Sequence, residues 1–222
     1  MRGVAGTLPL MTLPAALLID MDGTIVDTEP YWIATEHELV AEFGGRWGAD
    51  DAHSIVGFAL LDAAAELRDR GGVDLEPTAI VGRLLEGVID KCSVDLPWRP
   101  GARELLIEAR DAGVPCVLVT MSWRSMADAV LSQAPDGVFV GSVTGDEVEH
   151  GKPAPEPYLK AAELLGVDPA DCLAIEDSPT GAASALAAGC RTVAVPHVVA
   201  VPEQPGLDIR PTLDGLTLAD LF

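Results

Sequence analysis

Positive charge is what this sequence has least of. Its 35 aspartates and glutamates face only 14 lysines and arginines, a formal net charge of −21 over 222 residues. A surface this negative repels phosphate backbones and anionic lipid, which argues against nucleic acid and membrane partners. Cysteine is also sparse. Cys92, Cys116, Cys172 and Cys190 lie far apart with no CxxC pair, so neither a disulfide framework nor a zinc site is encoded. They read as reduced cysteines of a cytoplasmic protein, with Cys116 and Cys172 inside apolar runs as small core residues. The apolar stretch from the N-terminus to Ile19 is too short to span a bilayer and is interrupted by Pro9 and Pro14. Cleavage near its end would destroy the aspartate motif that follows, so residues 1 to 13 are expected to be a loose leader rather than a signal peptide. No internal repeat or low-complexity tract stands out. What is present, 49% hydrophobic and 22% charged residues, is ordinary for one globular domain with room for a small appendage.

Five short apolar runs have the look of buried parallel strands: Ala15–Asp20, Val114–Thr120, Gly137–Val140, Cys172–Ile175 and Thr192–Val195. Helical patterns alternate with the later ones. Arg103–Ala112 carries Leu105, Leu106 and Ala109 on one face, Pro157–Leu165 stops at Gly166, and Ser178–Ala188 opens with an N-cap and Pro179 and stops at Gly189. About 80 residues separate the first two runs, too many for a loop or one crossover helix. They hold three helical stripes, Trp32–Phe43, Leu60–Leu67 and Ile80–Val88. The expectation is an α/β fold: a Rossmann-like, doubly wound parallel sheet (1–30 and 98–222) with a small inserted α-helical domain (31–97). The tail 196–211 reads as irregular surface chain.

Four motifs fall at or just after strand ends on one edge of such a sheet, where open α/β folds bind ligands. Asp20-Met21-Asp22-Gly23-Thr24 supplies two carboxylates, one able to act as nucleophile and the other as general acid and base. Gly23 permits a tight turn with backbone N–H groups close to an anion. An EF-hand is excluded, since its required Gly and Glu positions fall on Ile25 and Tyr31. Thr120 ends the second strand ahead of a helix starting near Ser122, a place for an anion beside free N–H groups. Lys152 sits in Gly151-Lys152-Pro153, before Pro155-Glu156-Pro157, without the glycine spacing or Ser/Thr of a Walker A loop. Glu176-Asp177 ends the fourth run, a pair of hard oxygen donors ahead of a capped helix. Two carboxylates, a hydroxyl, a lysine and an acidic pair suit metal-assisted phosphoryl transfer through a covalent aspartyl phosphate.

These motifs, in this order, resemble those of the haloacid dehalogenase-like hydrolases, in the branch with a helical cap after the first strand. DMDGT, Thr120, Lys152 in GKPAPEPY, IEDSPTGAASALAAG and the phrase Val26-Asp27-Thr28-Glu29-Pro30 carry the likeness, from about Ala15 to Val195. The resemblance implies Asp20 as nucleophile, Asp22 as general acid and base, and Thr120 and Lys152 on the phosphoryl oxygens. Gly23, Thr24, Met121 and Ser122 would complete the phosphate site. Mg²⁺ would sit on Asp20, Asp22 (through its backbone carbonyl), Asp177 and Glu176. It also implies a cap that closes over a small phosphate monoester, a sugar phosphate or phosphoglycolate-like metabolite, in a protein expected to be a monomer.

Asp22 sets the chain apart from the dehalogenases, which lack an acid there. Lys91 alone offers the cap lysine of the phosphonate-cleaving relatives. The rival reading is a sugar-phosphate mutase of the β-phosphoglucomutase type. Mutases of that type carry a His where Trp32 stands, and an Arg and a Lys where Leu60 and Val88 stand. A phosphometabolite-binding protein without catalysis is a further alternative, disfavoured by the retention of Asp22. His37, His53, His150 and His197 share no metal spacing. Trp123 and Arg124 read as the first turn of a helix, and Phe58 beside Gly57 as a cap loop facing the site.

Overall fold

A computed structural model describes residues 13–56 and 58–222. The expected leader up to residue 12, and Gly57, lie outside the described residues. Six parallel strands form one sheet: β1 (Ala16–Ile19), β2 (Cys116–Val119), β3 (Phe139–Val143), β4 (Cys172–Glu176), β5 (Arg191–Ala194) and β6 (Leu207–Ile209). Their order is β3-β2-β1-β4-β5-β6. The chain therefore winds outward from β1 in one direction and from β4 in the other, and the winding reverses between β1 and β4. That crevice, outside the carboxyl ends of the strands, is the ligand position in open parallel sheets.

The central strands form where they do because both faces are covered. Ala16–Ile19 and Cys116–Val119 are entirely buried, and continuous apolar runs of this kind belong to parallel sheets buried on both sides. Register puts Ile19 beside Leu118 on one side and Ile175 on the other. Helices α5 (Ala102–Asp111), α6 (Arg124–Leu131), α7 (Glu156–Leu165) and α8 (Pro179–Ala188) connect or flank the strands. Helix α8 begins as its sequence signals: the Ser178 hydroxyl accepts from the Gly181 N–H at 3.1 Å, with Pro179 in the first turn.

Between β1 and α5 stand four helices, α1 (Glu29–Glu42), α2 (Ala49–Ser54), α3 (Leu60–Asp69) and α4 (Pro77–Val94). They share a core of Leu39, Val40, Trp47, Leu67, Ile80, Leu84 and Val88. Two passages join this insertion to the sheet and run side by side. Val26 bridges Trp98, Asp27 N–H donates to Pro97 at 2.8 Å, and Arg99 N–H donates to Ile25 at 2.9 Å. Helix α4 also packs on α6. At the insertion's surface Arg68 pairs with Asp69, Arg70 with Asp51, Arg83 with Glu42 and Lys91 with Glu38. Exposed pairs of this kind each contribute about 0–1 kcal/mol.

The structure departs from the sequence expectations at the edges. The tail 196–211 is not irregular throughout: Leu207–Ile209 adds a sixth strand beside β5, short and half-buried, so its apolar signal is weak. Strand β3 runs from Phe139 to Val143 rather than from Gly137 to Val140. Gly137 holds a turn at φ +72°, and the strand continues through polar Ser142 because an edge strand is only half covered. Helices α2 and α9 (Leu218–Leu221) were not signalled by apolar period, for both are short and held at their starts by local bonds. Asp51 accepts from the Gly48 N–H at 3.0 Å, and Asp220 accepts from the Thr217 N–H at 2.9 Å. All four cysteines are free and buried.

Leu18 lies in the central strand and is 0% exposed. Leu18→Ala should lower the unfolding free energy by about 2–5 kcal/mol, read from the midpoint of a urea transition. A loss under about 0.5 kcal/mol would mean that β1 is not the packed centre of the sheet.

Candidate active site

The carboxyl ends of β1, β2 and β4 bring the expected residues together. Asp20 follows β1 directly, and its N–H is fixed by the Ile175 carbonyl at 3.0 Å. Its carboxylate is gripped on both oxygens: Lys152 Nζ donates to Oδ1 at 2.7 Å and Thr24 Oγ1 to Oδ2 at 2.8 Å. Each oxygen keeps a lone pair for other work. Lys152 arrives on the loop between β3 and α7, its backbone N–H resting on the Met121 sulfur at 3.2 Å. Its ammonium also donates to the Val119 carbonyl at 2.9 Å and lies 2.5 Å from Glu176 Oε1. Burial alone would lower this ammonium's pKa. The carboxylates of Asp20 and Glu176 outweigh burial and hold it above the ordinary lysine range, fully charged.

Asp22 points elsewhere. Thr28 Oγ1 donates to its Oδ1 at 2.5 Å, Ser122 Oγ to its Oδ2 at 2.7 Å, and Thr120 Oγ1 makes a long contact at 3.5 Å. Burial raises the Asp22 pKa, against the lowering effect of the Thr28 and Ser122 bonds. Two carboxylates two residues apart thus occupy different surroundings, one ion-paired and one desolvated. Environments that differ in this way can push the pKa values of two carboxylates apart and suit them to different roles. Thr120 itself accepts from the Ser122 N–H at 3.0 Å, so Thr120, Ser122 and Asp22 form one polar unit.

A third group is acidic. Ligand oxygens of Asp20, Glu176 and Asp177 lie within 4.8 Å of one another. Burial first, then mutual repulsion, raises Glu176 to about 7 and Asp177 to about 8. Two buried carboxylates and a half-buried one face one ammonium, and the donors are hard oxygens, which suits a divalent cation such as Mg²⁺. The Asp22 side chain stays outside this group. Gly23 makes room for it: at φ +80°, a Cβ there would stand 2.1 Å from Asp177 Oδ2. Gly181 does the same for Glu176, where a Cβ would come within 1.9 Å of the carboxylate.

Sequence reasoning missed Tyr158 and Thr28. Tyr158 is 0% exposed and donates to Glu176 Oε1 at 2.6 Å. It was written inside GKPAPEPY, but as an aromatic ahead of a helix it reads as core. The signal for Thr28 was its place in the phrase after the first motif. Arg124 does not reach the site. It opens α6 as expected, and its guanidinium turns to Glu147 and Ser142, each at 2.6 Å. Phe58 is 49% exposed between α2 and α3.

A family model described as haloacid dehalogenase-like hydrolase matches residues 14–189. The chain is 32% identical over 201 residues to the bifunctional riboflavin kinase/FMN phosphatase of Arabidopsis thaliana, covering 85% of this chain but only 50% of that protein. It is 30% identical over 207 residues to hexitol phosphatase A of Escherichia coli, covering 86% and 88%. Among solved structures it superposes on CbbY of Rhodobacter sphaeroides, determined with xylulose-(1,5)bisphosphate, with a TM-score of 0.83 and 26% identity over 94% of this chain and 99% of that one.

Two outcomes are expected from this geometry. Glu176 and Asp177 bind protons more tightly folded than unfolded, so the native state holds more protons between their ordinary values, 4.5 and 3.8, and about 8. Stability of the metal-free protein should therefore fall as pH rises through that window. Thermal melts should show the slope flattened in Asp177→Asn; an equal slope in both proteins would sink the argument. Gly23→Ala should displace Asp177, and added Mg²⁺ should then raise the melting temperature less than it does for the wild type. An undiminished gain would show that the contact at Gly23 does not shape the acidic group.

Proposed function

Because the chain belongs to the haloacid dehalogenase-like hydrolases, we propose that it hydrolyses small phosphate monoesters through a phosphoaspartate formed on Asp20. The observation that carries this reading is the division of labour between Asp20, clamped by Lys152 and Thr24, and Asp22, held by Thr28 and Ser122 with a pKa that desolvation raises. Relatives named as phosphatases of hexitols and of fructose 1-phosphate point to sugar phosphates as the substrate class.

In the first half-reaction an Asp20 oxygen attacks phosphorus and the bond to the alcohol oxygen breaks. Asp22 gives its proton to that oxygen, so the product leaves as a neutral alcohol. In the second half Asp22, now a carboxylate, takes a proton from water. The water oxygen attacks the phosphorus of the acyl phosphate, and inorganic phosphate leaves with Asp20 restored. Thr28 and Ser122 hold Asp22 while it gives and takes the proton. Lys152 lowers the repulsion between the Asp20 carboxylate and the phosphate. Asp20, Glu176 and Asp177 would hold Mg²⁺, which supplies further charge cancellation on the phosphoryl oxygens. Tyr158 and Lys152 orient Glu176. The insertion α1–α4 would act as the cap, swinging on the paired passages at Val26 and Trp98 and excluding water when closed.

The mutase alternative gains no support from the insertion: apolar Trp32 lies in α1, packed against the core, and Val88 is 0% exposed. Among the described residues no helix is long and apolar enough to cross a membrane. Four buried free thiols support the reading of a cytoplasmic protein, and a self-contained cap supports a monomer.

Asp20→Asn should lower phosphate release from sugar phosphates by about 10⁴-fold, and Asp22→Asn by about 10²–10⁴-fold, in Mg²⁺-containing assays. Undiminished release from Asp20→Asn would falsify the covalent route. Isomerised sugar phosphate in place of free phosphate would favour the mutase.

A further inference from the structure

We infer that His197 is a positioning residue: its ring clamps both passages between the sheet and the insertion, and so fixes how the insertion stands over the phosphoryl site. The inference rests on the phosphatase reading for the kinetic half of its test; the clamp itself rests on contacts alone.

His197 has no part in the chemistry above. It follows β5 on the chain toward β6, at the same edge of the sheet as Asp20 and Asp177. The start of that segment is tied to β4, where Val195 N–H donates to the Glu176 carbonyl at 2.7 Å. From there the ring reaches both passages at once. Nε2 stands 2.9 Å from Asp27 Oδ1, in the passage from β1 to α1. Nδ1 meets the Arg99 guanidinium, in the passage from α4 to α5. A guanidinium has no acceptor, so Nδ1 accepts and the ring proton sits on Nε2, the nitrogen that faces Asp27. A neutral imidazole carries one donor and one acceptor on separate nitrogens. It can therefore stand between a carboxylate and a guanidinium and serve both, which neither a lysine nor a second carboxylate could do.

The location gives this contact its consequence. Backbone bonds join the two passages to each other, Asp27 N–H to Pro97 and Arg99 N–H to Ile25. Backbone bonds also hold the first passage to the aspartate motif, with Gly23 N–H donating to the Val26 carbonyl at 2.8 Å. His197 adds a side-chain tie at the next residue, Asp27. Thr28 follows, where α1 begins and where a hydroxyl donates to Asp22. Asp27 Oδ1 is sealed from solvent and takes no aligned hydrogen bond, so the Nε2–H beside it is the donor within reach. Without the ring, a buried carboxylate oxygen and a guanidinium would each need new partners, and the passages that carry them would shift. A misplacement of about 1 Å at the reacting groups can cost about 100-fold in rate.

The test compares wild type, His197→Ala and His197→Gln. Amide hydrogen exchange is read at the Asp27 and Arg99 N–H groups, and kcat and KM are measured with fructose 1-phosphate and glycerol 3-phosphate. His197→Ala should speed exchange at both amides at least about tenfold while leaving the amides of β1 and β4 protected. It should lower kcat/KM at least about tenfold, through kcat and KM together, with the affinity for Mg²⁺ unchanged. Glutamine carries a donor and an acceptor on one amide, so His197→Gln should restore exchange and kcat/KM to within about threefold of wild type. Unchanged exchange at Asp27 and Arg99 in His197→Ala would overturn the clamp, whatever the activity. Faster exchange with kcat/KM unchanged would overturn the positioning role. A glutamine variant as impaired as the alanine one would also overturn it, because a paired donor and acceptor would then not be what the site requires. No Asp20-dependent hydrolysis by the wild type would overturn the phosphatase reading and the positioning role with it, and exchange alone would then decide the clamp.

Discussion

A single buried ammonium holds the catalytic edge of this protein together. Lys152 Nζ meets Asp20, Glu176 and the Val119 carbonyl at 2.7, 2.5 and 2.9 Å, so its three protons are used by the ends of three neighbouring strands. Only 6% of its side chain is exposed. Removing one partner of such a pair typically costs about 3–5 kcal/mol, because the other charge is left buried and alone. Everything nearby accommodates this arrangement. Tyr158 takes the Glu176 oxygen that faces Lys152, Gly181 leaves space behind that carboxylate, and Gly23 leaves space for Asp177. The acids still outnumber the ammonium, and the surplus is what suits a divalent cation.

The same economy of charge explains why two aspartates in one short motif can behave differently. Asp20 lies on the ammonium side of β1, while Asp22 has turned past Gly23 to neutral hydroxyls from the start of α1 and the end of β2. Desolvation raises the Asp22 pKa against its neutral hydroxyl partners; the carboxylates of Asp20 and Glu176 outweigh burial and keep Lys152 charged. Helix α1 thus links the site to the insertion: Thr28, at its start, donates to Asp22.

Much of this was legible in the sequence because the central strands are buried on both faces and must read as unbroken apolar runs. Ala16–Ile19, Cys116–Val119 and Cys172–Glu176 could hardly be anything else, and the carboxylates, hydroxyl and lysine stand at or near their ends. Strand β6 was not legible, since an edge strand of three half-buried residues carries little pattern. Helix α2 was hidden for a similar reason: of its six residues only Ala52 is buried. Within the site, sequence named the residues but not their pairings. Glu176 appeared as a metal ligand beside Asp177, and only the fold shows that Tyr158 and Lys152 hold it from the other side. Such contacts join residues far apart in the chain and leave no periodic trace.

The central claim is that the surplus of buried carboxylate over Lys152 is matched by one divalent cation. Calorimetric titration of the metal-free protein with Mg²⁺ tests it most directly. The account predicts one equivalent bound, with proton release that grows as pH is lowered from about 8, the value to which Asp177 is raised. It also predicts that Asp177→Asn abolishes the binding heat. A protein that takes up no Mg²⁺, or one whose single site is untouched by Asp177→Asn, would contradict it.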